Sequence, residues 1–414
     1  MVKIVENQNL KHFLFLRNPD NAPIWGGLEN LMLGWFERID YSQCRVTLAI
    51  SKDWIELFTQ TLKTAGLPVQ VIELPFSPRS PVKRFFSESS FLRGLNPSSI
   101  IYIHGWLFSF DLVSVLAGSF VTPGRVFIQE NLGPPVPPEK SSKRHLGVPG
   151  LGIWWYFQIL SALLRAHVSE KTVVVSKEIK ENLVSFWHYP AEKIAVKYNG
   201  IDLGLYRPSS KIRLTMRRVL NIPADETIIV VHARLAKEKC IHRTIEAFDA
   251  LCQKFSAMTL LILGSGPQED DLKALGRKAA SSNKIRFLGH VDNVADYLKT
   301  SDIYVLSSDN EGFGIALVEA MASGLICVST RCPGPNEIIQ DGINGFLVDK
   351  STEGVMAGLR RVFGLSVDEK ASMREKAAKF VSENFEINAK IRDVFEVFGL
   401  PYKTDHAAAA VSTS

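Results

Sequence analysis

SSDNEGFGIALVEAMASG, residues 307–324, decides how this chain is read. The apolar run DIYVLSS (302–308) ends at Ser307-Ser308, a loop carries Glu311-Gly312, and a helix is predicted to begin near Phe313-Gly314. A helix start offers backbone N–H groups without intrahelical acceptors and the positive end of the helix dipole, which suits a diphosphate. Gly312 and Gly314 allow a ligand to approach the backbone closely. Glu319 follows Glu311 by eight positions, or ~12 Å at helical rise. That is about the reach from a sugar ring to the ribose of one nucleotide-sugar. The plain alternative is a solvated loop acid and an ordinary helix glutamate. The preceding strand, the glycines and the apolar AMASG behind them outweigh it.

Working outward, strand-like apolar runs alternate with helical segments along the chain. TIIVVHA (227–233), TLLILGSG (259–266), IRFLGH (285–290) and LICVST (325–330) surround the central stretch. Segments 241–254, 268–282 and 314–323 between them read as helices. An earlier set comprises HFLFLRN (12–18), RVTLAI (45–50), VQVIEL (69–74), IIYIHG (100–105), RVFIQE (125–130) and TVVVS (172–176). Runs that stay apolar instead of alternating suit parallel strands covered on both faces, and alternation with helices implies right-handed βαβ units. The fold class is therefore α/β, with two Rossmann-like doubly wound domains facing a central cleft. A chain of 414 residues also exceeds what one hydrophobic core usually serves. The expected division is 1–205, 206–385, a C-terminal helix over 386–400 packing back on the first domain, and a flexible tail over 401–414. The join lies in YNGIDLGLYRPSS (198–210).

The bulk properties bound the function classes. A hydrophobic fraction of 46% excludes disorder for most of the chain. The net charge of +5 does not demand nucleic acid, but is compatible with an anionic ligand or membrane face. The five cysteines are odd in number and lack close CxxC spacing, as expected of free thiols in a reducing cytoplasm. The N-terminus lacks a signal-peptide layout, and no run is long enough to span a membrane. The proline-rich stretch 131–150 reads as a long loop beside the cleft. The apolar helix LGIWWYFQILSALLRAHV (151–168) reads as a packed core helix or as a surface for a membrane or lipid-linked acceptor. Basic residues in KSSKRH (140–145) and in 79–93 accompany the second reading.

Further constellations surround the central motif. In HARLAKEKC (232–240), Arg234 and Lys239 follow a strand. At the carboxyl edge of a parallel sheet, two cations would neutralise a leaving diphosphate, or they form a surface charge cluster. Gly26 and Gly27 in WGGLEN form either a phosphate-contacting turn or a simple tight turn. His104 ends its strand as a contact to the transferred sugar or as a structural histidine. Glu130 and Asn131 occupy a similar place. Glu337 in GPNEII reads as an N-cap-like helix acid or as a cleft residue. Gly264 and Gly266 form a lone G-x-G, and no GxGxxG follows the first strand, which argues against a dinucleotide-dependent dehydrogenase.

Together these residues resemble glycosyltransferase family 4, whose members are retaining enzymes of the GT-B fold. The resemblance is carried by Glu311-Gly312-Phe313-Gly314 through Glu319-Ala320-Met321-Ala322 to Gly324, and by Arg234-Leu235 to Lys239. It extends over Phe287 to Val291, Gly334 to Ile339, Asp341 to Val348, Tyr198 to Asp202 and Tyr206-Arg207-Pro208. Ala233 and Cys240 stand where the family pattern has glycine. The resemblance implies that Arg234 and Lys239 hold the diphosphate, Glu319 the ribose and Glu311 the donor-sugar hydroxyls. Phe313, Gly314, Ile315 and Leu317 would meet sugar and phosphates through their backbone, and Gly289, His290 and Val291 would border the base. Gly27 and His104 match the family's glycine at the phosphate and histidine beside the sugar.

The expected activity is retaining transfer from a nucleoside-diphosphate sugar, UDP-linked in preference to GDP-linked, to a glycan or lipid-linked acceptor in cell-surface polysaccharide or glycolipid synthesis. No Asp-x-Asp motif is present, so no metal and no cofactor are expected. The expected setting is the cytoplasm, with possible peripheral attachment to a membrane. The rivals are a GT-B phosphorylase, which would need a pyridoxal-bearing lysine, and a catalytically silent sugar-binding scaffold on the same fold.

Overall fold

The structure, a computed structural model, describes residues 10–17, 27–74, 81–104, 112–131 and 151–403. The chain divides into two compact units, Met1–Lys197 with Ile391–Ser414, and Tyr198–Lys390. The chain thus passes between units at 197–198 and 390–391, where the sequence reading set its divisions at 205–206 and 385–386.

The first unit runs β1 (Lys11–Arg17), α1 (Gly27–Arg38), β2 (Cys44–Ile50), α2 (Lys52–Thr64), β3 (Val69–Glu73), α3 (Pro81–Leu95), β4 (Ser99–His104), α4 (Leu112–Val121), β5 (Val126–Glu130), α5 (Leu151–Val168), β6 (Lys171–Val174), α6 (Lys177–Trp187) and β7 (Ile194–Val196). Its parallel sheet has the order β3-β2-β1-β4-β5-β6-β7. The central strands are apolar throughout because both faces are covered: Phe13 to Leu16 and Ile100 to Ile103 are all buried. Helix α2 carries one apolar stripe. In α2 the buried residues are Trp54, Phe58 and Leu62, spaced four apart, behind the N-cap residue Ser51.

The second unit runs α7 (Leu203–Tyr206), α8 (Ser210–Val219), β8 (Thr227–His232), α9 (Ile241–Cys252), β9 (Met258–Leu263), α10 (Glu269–Lys278), β10 (Ile285–Gly289), α11 (Val294–Thr300), β11 (Ile303–Leu306), α12 (Ile315–Ala322), β12 (Ile326–Thr330), α13 (Pro333–Ile338), β13 (Phe346–Val348), α14 (Thr352–Gly364), α15 (Val367–Asn384) and α16 (Ile387–Phe398). Its parallel sheet has the order β10-β9-β8-β11-β12-β13. The core beneath it joins Ile229, Val231, Ile245, Phe248, Ile262, Val305, Val328 and Leu359. The last helix, α16, begins in the second unit and ends in the first, where Phe398 sets its ring against Trp35 (6.0 Å) and Phe127 (5.5 Å).

All eleven apolar runs named from the sequence are strands. The two strands the sequence does not reveal, β7 and β13, have three residues each and close the same edge of their respective sheets. So short a segment carries no period of its own, and only the exposed ladder of β6 or β12 makes it a strand.

Candidate active site

In the second sheet β8 and β11 lie side by side, and the strand order reverses between them. In open α/β sheets ligands bind at that point, outside the carboxyl ends of the strands. Here β8 runs into Arg234–Lys239 and β11 into Ser307–Gly314. Side chains join the two loops. Lys239 Nζ donates to Glu311 Oε1 at 2.6 Å, and Ser308 Oγ donates to the same oxygen at 2.9 Å. Ser307 Oγ lies 3.1 Å from the carbonyls of both Lys239 and Cys240. The backbone N–H of Asp309 donates to the Glu238 carbonyl at 2.8 Å. The Lys239–Glu311 contact is a charge-assisted pair with little solvent around it, so it is short and directional.

Backbone geometry holds this arrangement. Cys240 has φ +48°, the left-handed conformation that glycine adopts without cost, and its Sγ donates to Asp309 Oδ2 at 3.1 Å. The resemblance has glycine at this position, and here a buried cysteine holds the left-handed conformation. Gly334 packs so tightly on Phe313 that a Cβ there would lie 2.1 Å from the Phe313 carbonyl oxygen and 2.3 Å from its Cα. Gly314, at φ +91°, caps α12 and sets the direction in which that helix start points.

Glu319 lies one turn into α12 and is buried. Tyr206 from α7 donates its hydroxyl to Glu319 Oε1 at 2.7 Å. Burial pushes the Glu319 carboxyl up to about 7, against the Tyr206 hydrogen bond, which favours the charged form. His232, the last residue of β8, places Nδ1 3.8 Å from Glu319 Oε2. Burial, then the neighbouring His290 and Lys239 charges, lower the His232 imidazole to about 4.

Arg234 pairs with Glu238 at 3.0 Å on the half-exposed rim. Gly289, at φ +68°, accepts from the Gly264 N–H at 2.7 Å. It is followed by exposed His290, 3.5 Å from Asp292, and by half-buried Val291. Gly312, Phe313 and Leu317 are buried, and Ile315 is half-buried at the first position of α12.

In the first unit Gly27 opens α1 as an exposed residue, and Gly26 lies outside the described residues. His104 ends β4 in register with Glu130 of β5; its side chain lies outside the described residues, as do those of 151–159 and the segments 140–145 and 79–80. Glu130 is buried beside the Arg165 charge, and burial pushes its carboxyl up to about 7. Asn131 accepts from the Gln129 amide at 3.3 Å. Glu337 is not an N-cap acid. Cys332 holds that position of α13, and the Glu337 carboxylate accepts from the Tyr198 hydroxyl at 2.7 Å. Among the described residues, no three His, Cys, Asp or Glu side chains cluster as a metal site would require.

Tyr206, His232 and Ser308 complete the surroundings of the two glutamates, and sequence reasoning assigned none of them a role. Ser308 and His232 were visible at strand ends beside the motifs. Tyr206 lies 113 positions from Glu319, so no local spacing could reveal the pair.

Residues 213–380 match the family described as glycosyl transferases group 1. A glycosyltransferase of uncharacterized specificity from Methanocaldococcus jannaschii is 33% identical over 207 residues, 48% of this chain and 52% of that protein. N-acetyl-alpha-D-glucosaminyl L-malate synthase from Bacillus anthracis is 31% identical over 232 residues, 55% of this chain and 59% of that protein. The matches thus span about half the length of these relatives. Anabaena HepE, solved with UDP and glucose, aligns over 94% of this chain and 99% of its own with a TM-score of 0.73 at 19% identity. WaaG, a glycosyltransferase involved in lipopolysaccharide biosynthesis, aligns over 94% of this chain and 100% of its own with a TM-score of 0.69 at 14% identity. These two likenesses show that the chain has the GT-B fold. Within the second unit, residues 213–380 carry the match to the glycosyl transferases group 1 family.

Proposed function

We propose that the chain is a retaining glycosyltransferase of family 4 type. It moves a sugar from a nucleoside-diphosphate donor, UDP-linked in preference to GDP-linked, to a glycan or lipid-linked acceptor without a metal ion. The observation that carries this reading is Lys239 held at 2.6 Å from Glu311 at the start of the loop into α12. A half-buried cation and a helix start together suit the two charges of a departing diphosphate. Glu311 then orients the donor sugar, Glu319 the ribose, and Arg234 turns from Glu238 to the phosphates. No side-chain base is assigned. Anabaena HepE has been solved with UDP-glucose, which supports the UDP preference. Relatives at 31% and 29% identity named for colanic acid biosynthesis and alpha-monoglucosyldiacylglycerol synthesis support a polysaccharide or lipid acceptor.

A panel of nucleotide-sugars screened for release of free nucleotide, with and without lipid-linked acceptors, tests the reading. Release from one donor, accelerated by an acceptor, is expected. Binding without release from any donor would favour a silent scaffold.

Attachment to the cytoplasmic face of a membrane is the second part of the proposal. Among the described residues, no helix is long and apolar enough to cross a membrane. On α3 and α4, however, Val82, Phe86 and Phe120 are 64%, 67% and 56% exposed. Exposed Lys83 and Arg93 accompany them, with the Arg93 guanidinium 4.9 Å over the Phe120 ring. Apolar side chains flanked by cations suit an anionic lipid surface. Co-sedimentation with anionic but not neutral vesicles at low salt is expected, and protein left in the supernatant in both would overturn the attachment.

A further inference from the structure

His232 is a group at the candidate site whose chemistry the reading above leaves unused. It ends β8, the strand at the reversal of strand order, where ligands enter open α/β sheets. Its Nδ1 is buried, has no hydrogen-bond partner among the described residues and faces Glu319 Oε2 at 3.8 Å. The side chain as a whole is still 29% exposed, so that exposure comes from its other atoms. Glu319 Oε1 is already occupied by the Tyr206 hydroxyl at 2.7 Å, which leaves Oε2 as the carboxylate oxygen free of donors among the described residues.

We propose that His232 is a ribose-binding residue that works as a pair with Glu319: its Nδ1–H is directed at Glu319 Oε2, and its Nε2 accepts from one hydroxyl of the donor's ribose while Oε2 accepts from the other. This rests on the reading that Glu319 holds the ribose of a nucleoside-diphosphate sugar. The physical reason is a count of acceptors. A vicinal diol brings two O–H donors side by side, and one remaining carboxylate oxygen satisfies one of them well. When Glu319 is ionised, its Oε2 facing Nδ1 fixes the ring proton on that nitrogen, so the Nε2 lone pair becomes the second acceptor. The imidazole is suited to accept because burial and the nearby charges of His290 and Lys239 keep it neutral, lowering it to about 4. The Tyr304 hydroxyl, 3.3 Å from the His232 carbonyl, steadies the strand end that carries the ring.

Calorimetric titration separates this proposal from the reading beneath it. UDP and GDP, each beside a counterpart lacking both ribose hydroxyls, are titrated into the full chain and into His232→Ala, His232→Gln and Glu319→Gln. In the wild type the nucleotide with intact ribose binds more tightly. His232→Ala is expected to weaken that nucleotide about tenfold, the worth of one hydrogen bond, and to leave its dideoxy counterpart unchanged. His232→Gln, which keeps an acceptor on a longer side chain, is expected to recover part of the loss, and it carries the test if the alanine variant does not fold. An unchanged ratio between intact and dideoxy nucleotide in both His232 variants, with the ratio lost in Glu319→Gln, overturns the role of His232 alone. A wild type that binds neither nucleotide, or a Glu319→Gln variant with an unchanged ratio, overturns the donor reading and this proposal with it.

Discussion

The two sheets share one winding order, with β1 beside β4 in the first unit and β8 beside β11 in the second. Each carries a buried carboxyl near its carboxyl edge that burial pushes up to about 7, Glu130 and Glu319. Their partners differ. Glu130 has the Arg165 cation nearby, and its Oε2 is buried without a hydrogen-bond partner among the described residues. Glu319 has a neutral phenol on one oxygen and a neutral imidazole 3.8 Å from the other. A cation beside a carboxyl stabilises its charged form in place, whereas neutral donors leave room for a ligand to decide its state. The same topology thus supports two different kinds of acid. The surroundings of the strand ends, supplied by loops and by the elements packed on them, set which kind each becomes.

The largest expected effect separates the loops around Glu311 from the rest of the molecule. Lys239→Ala should slow turnover by about 100–1000-fold, ~2.7–4 kcal/mol of barrier, with the fold intact by circular dichroism. Near-normal kcat in that variant would remove the site from the second unit.

Titration of the two acids sharpens the comparison itself. Both folded-state values lie above the ordinary glutamate value of 4.5. Folding therefore takes up a proton at each site. The stability this contributes is fully present below 4.5 and is lost as pH rises through about 7. A shift of that size corresponds to at most roughly 3 kcal/mol per group. Glu130→Gln and Glu319→Gln should each flatten the fall in unfolding free energy between pH 5 and 8. Saturating nucleotide should change the wild-type slope and the Glu130→Gln slope but not the Glu319→Gln slope. Equal changes in all three would mean that Glu319 does not meet the ligand.

Glycine replacement probes how tightly the units are built around their sites. A Cβ at Gly334 would sit 2.1 Å from the backbone oxygen of Phe313, whereas Gly94 in α3 has open space around it. Gly334→Ala should cost about 1–3 kcal/mol or more. Gly94→Ala should stabilise by a few tenths to about 1 kcal/mol. Thermal melts of the two variants should therefore move in opposite directions, and a Gly334→Ala melt matching the wild type would contradict the packing.

The smallest expected effect is none. Donor turnover should survive EDTA, because Lys239 and the start of α12 are assigned the charge of the leaving diphosphate. Activity that vanishes in EDTA and returns with manganese would reassign that task to a metal.

The sequence alone was enough for the α/β class and eleven of the strands, and it nominated the residues Lys239, Glu311 and Glu319. These signals are local: an apolar run covered on both faces, a glycine where a helix must start, two acids eight positions apart. It could not reveal β7 or β13, whose three residues become strands only beside a preformed edge. Nor could it reveal that Lys239 meets Glu311 across 72 positions, that Tyr206 occupies one Glu319 oxygen, or that His232 faces the other. Tertiary structure decided those contacts. Chain segments far apart in sequence meet at the sheet's carboxyl edge, and the burial that follows moves Glu319 and His232 away from their ordinary protonation equilibria.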